Sequence, residues 1–148
     1  MKISRSGFEK YLSLSGSDRR LFLEALFTQV VTGLLLKIVP FRQIPRLFGN
    51  PVPATPGRES AVGSQQSLFL ERVRTATRRA SRISPWKNKC LVSSLAVRCM
   101  LRRRRIDSKL SLGLAKNDGG MVTAHAWINS GDIELVEKTK SYQELYSF

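Results

Sequence analysis

"KLSLGLAKNDGGMVTAHAWINSGDIELVEK", residues 109–138, decides the fold. Leu110, Leu112 and Leu114 alternate with polar or small residues over 109–115, the period of a half-buried strand. "NDGG" (117–120) is a turn, "MVTAHAWI" (121–128) a second strand, "NSGD" (129–132) another turn, and "IELVEK" (133–138) a third strand. Strands joined this tightly pair antiparallel. What precedes them reads as helix. Helices first and a meander after them predict an α+β fold.

The second strand carries the only histidine, His125. Thr123, His125 and Trp127 share one strand face; Val122, Ala124, Ala126 and Ile128 share the other. The small, branched face suits a core, so His125 points toward whatever packs opposite it. A lone histidine becomes a reaction centre only with a partner. "SPWKNKCLVSSLAVRCMLRRRR" (84–105) supplies a candidate. Ser84 as cap and Pro85 as first residue predict a helix start there. Leu91, Val92, Leu95, Ala96 and Cys99 form an apolar stripe, and Arg102–Arg105 complement the dipole at the C-terminal end.

Cys90 and Cys99 lie nine residues apart and face opposite sides of that helix, roughly 13 Å apart along its axis, too far for a disulfide. The stripe assigns Cys99 to the core. Cys90 sits in the early turns, beside Lys87 and Lys89 and near the positive end of the dipole, all of which favour a thiolate. A cysteine at a helix start and a histidine on a following strand is an arrangement for thiol acyl transfer. A third group orients the imidazole, with Asp132, Glu134 and Glu137 as candidates. A two-residue Ser130–Gly131 turn sets His125 opposite Val136 and Trp127 opposite Glu134. A three-residue Ser130–Asp132 loop sets His125 opposite Glu137, which leaves Glu137 ahead of Glu134. One histidine and two opposed cysteines argue against a zinc site, and no organic cofactor is implied.

Upstream, "LSGSDRRLFLEALF" (14–27) opens a helix, with Ser15 or Ser17 as cap and Asp18 in the first turn. Pro40 stops it, and "FRQIPRLFGN" (41–50) is a short amphipathic piece closed by Gly49. The stretch 21–40 approaches the roughly 20 residues that span a bilayer. Glu24, Gln29 and Lys37 interrupt it, so a buried or groove-forming helix is expected, with weak membrane association as the alternative. Its apolar residues exceed what a small core needs, and the excess reads as an exposed docking patch. Residues 50–66 read as a linker. Residues 67–83 read as a helix with Leu68, Val73, Ala76 and Ala80 on one side and arginines around the rest. The expected organisation is a helical N-terminal segment (1–49), a linker (50–66) and a core (67–148).

The net charge is +14 over 148 residues, concentrated at 71–109, where 13 Lys or Arg face only Glu71 and Asp107. Such a patch fits nucleic acid, an anionic membrane or an acidic peptide. Aromatic residues are not interleaved with the arginines, so no nucleic-acid partner is expected; a basic nucleic-acid-binding module without catalysis stays as the alternative class. Two cysteines and no secretory signal point to the cytoplasm.

"PWKNKCLVSSLAVRCMLRRRRIDSKLSLGLAK" and "TAHAWINSGDIELVEK" together resemble the cysteine peptidase of lasso peptide biosynthesis, of the transglutaminase-like, papain-related superfamily. The matching pieces are the Trp before Cys-Leu, the Leu-Ala helix ending in Met-Leu-Arg-Arg, the Leu-x-Leu-Gly strand and Ala-His-Ala-Trp. "DRRLFLEALF" and "LLKIVPFRQIPRLFG" look like the helical opening of stand-alone members. The resemblance implies a transglutaminase-like core, its Cys-bearing helix packed on a small antiparallel sheet. It implies Cys90 as nucleophile, His125 as general base and Glu137 as the acid, at a position where members commonly carry Asp. Trp86 and Trp127, which flank the pair in these motifs, are the candidate substrate-binding residues. It further implies removal of the leader from a lasso precursor peptide, with a separate small leader-binding protein and a macrolactam synthetase as partners; a thiol acyltransferase would use the same residues. Arg105 stands where many relatives have Gly, so the helix is expected to run one residue longer.

Overall fold

The computed structural model describes residues 13–48, 63–87, 89–116, 119–138 and 141–147. Helix α1 (Gly16–Ile38) is capped by the Ser15 hydroxyl, which accepts the Asp18 N–H at 3.3 Å. A 3₁₀ turn (Phe41–Gln43) and the short helix α2 (Ile44–Phe48) follow. Then come α3 (Ser64–Ile83) and α4 (Lys89–Arg103). Strands β1 (Lys109–Lys116), β2 (Val122–Ser130), β3 (Ile133–Val136) and β4 (Gln143–Ser147) form one antiparallel sheet in the order β3-β2-β1-β4. The architecture is α+β: helices packed on one four-stranded antiparallel sheet. Most of the expected linker, with Gly49 and residues 117–118 of the first turn, lies outside the described residues; its last part, from Ser64, already belongs to α3.

Helix α4 is the centre of the molecule. Val92–Arg98, Met100 and Leu101 are all buried, as expected of a helix covered on nearly every side. Its core partners are Leu21 and Ala25 of α1, Leu70, Val73, Ala76 and Ala80 of α3, and Leu110, Ile128 and Leu135 of the sheet. The expected stripe therefore needs correction: Leu91 and Cys99 are only half-buried, while Ser94 and Arg98 are inside. Arg98 satisfies its guanidinium by donating to the Ser108 carbonyl at 2.8 Å. On α3 the buried row is Leu70, Val73, Ala76 and Ala80, and Leu68, expected inside, is 67% exposed on the other side.

Both expectations for the ends of α4 are overturned. Ser84 is the C-cap of α3, its N–H reaching Ala80 O at 3.0 Å, and Pro85 follows a finished helix instead of opening the next. The C-terminus is not lengthened. Arg105 itself takes the positive φ of 55° that Gly would fill. Ile106 N–H reaches Leu101 O and Arg105 N–H reaches Arg102 O, both at 3.0 Å. This is the Schellman pattern, with Ile106 packed back on the core.

The sheet register is continuous from Lys109↔Asn129 to Lys116↔Val122. Gly113, paired with His125, has no room for a side chain: an added Cβ would lie 2.6 Å from Gln143 O and 2.7 Å from the Trp127 ring. The β2–β3 turn is neither of the two expected. Ser130 pairs with Ile133 around a Gly131–Asp132 turn, and a bulge shifts the register so that Ile128 pairs with Val136.

Helix α1 departs furthest from expectation. Its buried residues are Leu21, Ala25, Thr28, Gln29, Thr32 and Gly33. Leu23, Phe27, Val30, Val31, Leu34, Leu35 and Ile38 face outward, with Phe27 65% and Ile38 79% exposed. Two of the polar residues inside make specific bonds. Thr28 Oγ1 donates to Glu24 O at 2.6 Å, and Gln29 Nε2 donates to Thr77 O at 3.2 Å and Ser81 Oγ at 3.1 Å. Gly33 admits the Trp86 indole to the helix backbone, where any Cβ would overlap the ring.

Candidate active site

Cys90 occupies the first turn of α4, where backbone N–H groups have no intrahelical acceptor. His125 lies on β2 beyond the end of the short β3. Both line one cavity of about 210 Å³, walled by Thr77, Arg78 and Ser81 of α3, Lys89 and Ser93 of α4, and Leu135, Val136 and Glu137 at the end of β3. That is smaller than a typical small-molecule pocket. Among the described residues the thiol and imidazole share this cavity without a direct hydrogen bond. Such contacts commonly tighten only when substrate is bound.

The imidazole is held from two sides. Nε2 lies 2.8 Å from the main-chain carbonyl oxygen of Glu137. A carbonyl only accepts, so Nε2 carries the proton and Nδ1 keeps its lone pair. Tyr142 stacks on the ring at 4.9 Å between centroids and 19° between planes, and Trp127 stacks on Tyr142 at 6.1 Å. Burial pushes the His125 pKa below its ordinary 6.5, and the Glu134 charge partly opposes that. A neutral ring with a free lone pair can accept a proton at neutral pH.

Of the three candidate acids, Glu134 and Glu137 are brought close, but no carboxylate of the three bonds the ring among the described residues. Glu137 turns its carboxylate to Arg74 and Arg78, the latter at 2.9 Å, and meets His125 through its backbone. Glu134 accepts the Lys138 N–H at 3.2 Å. Asp132 is exposed in the turn. Neither tryptophan is among the residues lining the cavity. Trp86 packs on Gly33 with Lys37 Nζ 5.1 Å from its ring centre, and Trp127 is buried under Tyr142 with Lys138 Nζ above it at 4.7 Å. Gln65 and Gln66, in the first turn of α3, stand some three turns, roughly 17 Å, from Thr77 and supply no oxyanion donor to the cavity. Cys99 is a different thiol: burial raises its pKa, against the opposing pull of Arg103, Arg102 and Arg98.

Tyr142 and the serines were not legible beforehand. Ser93, one turn after Cys90, lies 2.7 Å from Ser81 Oγ, and Ser81 donates to Thr77 O at 2.9 Å. Their signal is weak, since serine on a helix more often faces solvent or its own backbone. Beside the cavity, α3 also lines a groove of about 350 Å³ with Arg74, Arg78, Arg79 and Arg82, and with Glu71, which pairs with Arg74 at 3.4 Å; Arg78 borders both spaces. Among the described residues no group of three or more His, Cys, Asp or Glu could hold a metal ion.

Comparison with curated proteins and with solved structures gives no match. The family model of the transglutaminase-like superfamily matches residues 30–147, most of the chain. That superfamily consists mostly of cysteine hydrolases and transferases. The matched span contains the Cys90 helix, the His125 strand and the whole sheet that joins them, and the chain belongs to the transglutaminase-like superfamily.

Proposed function

We propose that this protein is a cysteine peptidase that removes the leader from a ribosomally made lasso precursor peptide. The observation that carries the reading is Cys90 and His125 lining one cavity, with the ring fixed so that Nδ1 is free. In the proposed cycle His125 Nδ1 takes the Cys90 proton, and the sulfur attacks the carbonyl at the leader–core junction. N–H groups of the first turn of α4 donate to the developing oxyanion. The tetrahedral intermediate collapses with C–N cleavage, and the imidazolium returns its proton to the leaving amine. The core departs with a free α-amine, and water hydrolyses the leader thioester. Glu137 serves as third member through its main-chain carbonyl.

The reading includes a separate small leader-binding protein, a macrolactam synthetase that uses the freed amine, and a cytoplasmic setting. The arginine groove that meets the cavity at Arg78 supports an acidic stretch of leader as its occupant. Such binding weakens as salt rises. A thiol acyltransferase is the second reading, favoured by the transferases within the superfamily.

The test incubates the protein with its leader-binding partner and a lasso precursor, beside Cys90→Ala and Cys99→Ala, and reads products by mass. Cleavage at one junction, lost by a factor on the order of 10⁴ or more in Cys90→Ala and kept in Cys99→Ala, is the expected result. Cleavage surviving Cys90→Ala overturns the mechanism. A leader that gains the mass of an added amine instead of water identifies the transferase. An inactive wild type with a competent partner moves the weight to a basic binding module.

A further inference from the structure

Helix α1 is apolar on the side that faces solvent, and the side that faces protein mixes core residues, Leu21 and Ala25, with small and polar ones. Leu23, Phe27, Val30, Leu34 and Ile38 recur at helical spacing, with Val31 and Leu35 beside them. They form one stripe roughly 22 Å long. Thr28, Gln29, Thr32 and Gly33 face inward, the amide of Gln29 bonded to α3 and Gly33 seated on Trp86. Small and hydrogen-bonding residues toward neighbouring helices, with aliphatic residues away from them, is how a helix bathed in lipid is built. The helix is also long and apolar enough to cross a membrane by length and composition alone. Its packing on α3 and α4 keeps it on the protein surface instead.

The rim of the stripe is cationic. Arg20 and Lys37 stand exposed toward its two ends. On one flank Glu24 is engaged by Arg104 at 2.7 Å and Arg103 at 3.6 Å, so the carboxylate there is neutralised while Arg103 stays 66% exposed. Arg102 reaches the Leu47 carbonyl at 3.4 Å, which sets the basic end of α4 beside α2, where Arg46 is exposed, as is Arg42 in the 3₁₀ turn before it. A second copy of the chain would bring two such rims together against their own repulsion. Protein interfaces favour aromatic, Met and Arg anchors; this stripe has one aromatic and is otherwise aliphatic.

We propose that the outward face of α1 docks this protein on an anionic bilayer surface, with the stripe in the headgroup–acyl boundary and the rim cations on lipid phosphates. An in-plane amphipathic helix binds through these two contributions together. Gln29, on the opposite side of α1, bonds Thr77 and Ser81, which wall the cavity. Docking therefore turns the Cys90 cavity away from the lipid.

Vesicle flotation tests this with the full chain and needs no substrate, so its outcome is separate from that of the peptidase assay. The probes are phosphatidylcholine vesicles with and without roughly 30% phosphatidylglycerol. Wild type is expected to float with the anionic vesicles about tenfold more than with the neutral ones, and less at high salt. Phe27→Ser/Leu34→Ser, both at exposed positions and checked for fold by circular dichroism, is expected to lose most of that binding. Arg20→Gln/Arg103→Gln is expected to lose part of it and of the salt dependence. Wild type remaining in the soluble fraction, or floating equally well as Phe27→Ser/Leu34→Ser, overturns the proposal. So does a dimer seen by light scattering that dissociates in that double variant while vesicle binding stays absent.

Discussion

Helices α1 and α3 pack on the same central helix and are built as inverses. Helix α3 turns Leu70, Val73, Ala76 and Ala80 to the core and arginines to water. Helix α1 turns Thr28, Gln29, Thr32 and Gly33 to the protein beside Leu21 and Ala25, and leaves seven large apolar side chains facing outward. The first is seated by burial of apolar area, which tolerates small adjustments. The second is seated by close approach and a few directed bonds, which do not. Apolar content therefore does not say which side of a helix is inside; the position of small and hydrogen-bonding residues does.

The difference can be tested by substitution. Leu70→Ala removes a fully buried side chain from α3 and is expected to cost about 2–5 kcal/mol in urea unfolding; a cost below about 1 kcal/mol would mean that α3 is not anchored by its apolar row. Gly33→Leu on α1 drives a side chain into Trp86 and is expected to cost about 1–3 kcal/mol. A neutral result there would break the close-approach account of α1.

Glu24→Gln removes the pair with Arg104 at the flank of α1, worth about 1 kcal/mol. Its pH dependence has a definite sign. Arg104 first, against the cost of burial, holds the Glu24 pKa below its ordinary 4.5. The contribution is thus complete above that value and lost as pH falls through the lowered folded pKa. Wild type and Glu24→Gln should differ at neutral pH and converge in acid; a gap that persists in acid would assign the effect to packing. The smallest effect is expected for Leu34→Ser, one residue from Gly33 but facing outward: within about 0.5 kcal/mol in the absence of lipid. A large loss there would show that the stripe is covered by protein in solution.

Much of this fold was legible because period and burial agree. The three meander strands start or end within about two residues of expectation, and α3 differs at its core row only in exchanging Leu68 for Leu70. Ser84–Pro85 was ambiguous in principle, since cap-then-proline marks both a helix beginning and a helix just finished. Strand β4 left no trace because all five of its residues are exposed; it joins β1 through backbone pairing, not through a buried face. Tyr142 was missed for a related reason. It reaches His125 only through the chain's return toward that edge. The placement of Cys90 at a helix start and His125 on a strand was readable from element type alone, whereas the directions taken by Trp86 and Trp127 depend on what packs against them.

One bond carries a consequence for how this site can vary. His125 is aligned by a peptide carbonyl, and a carbonyl has no codon. Any amino acid at position 137 supplies the same acceptor, provided the chain leaves β3 along the same path. Replacements at that position are read out through the Arg74 and Arg78 contacts, while the imidazole tautomer is inherited from the backbone trace. To remove the acceptor itself would take chemical synthesis, with the amide unit after Glu137 altered atom by atom.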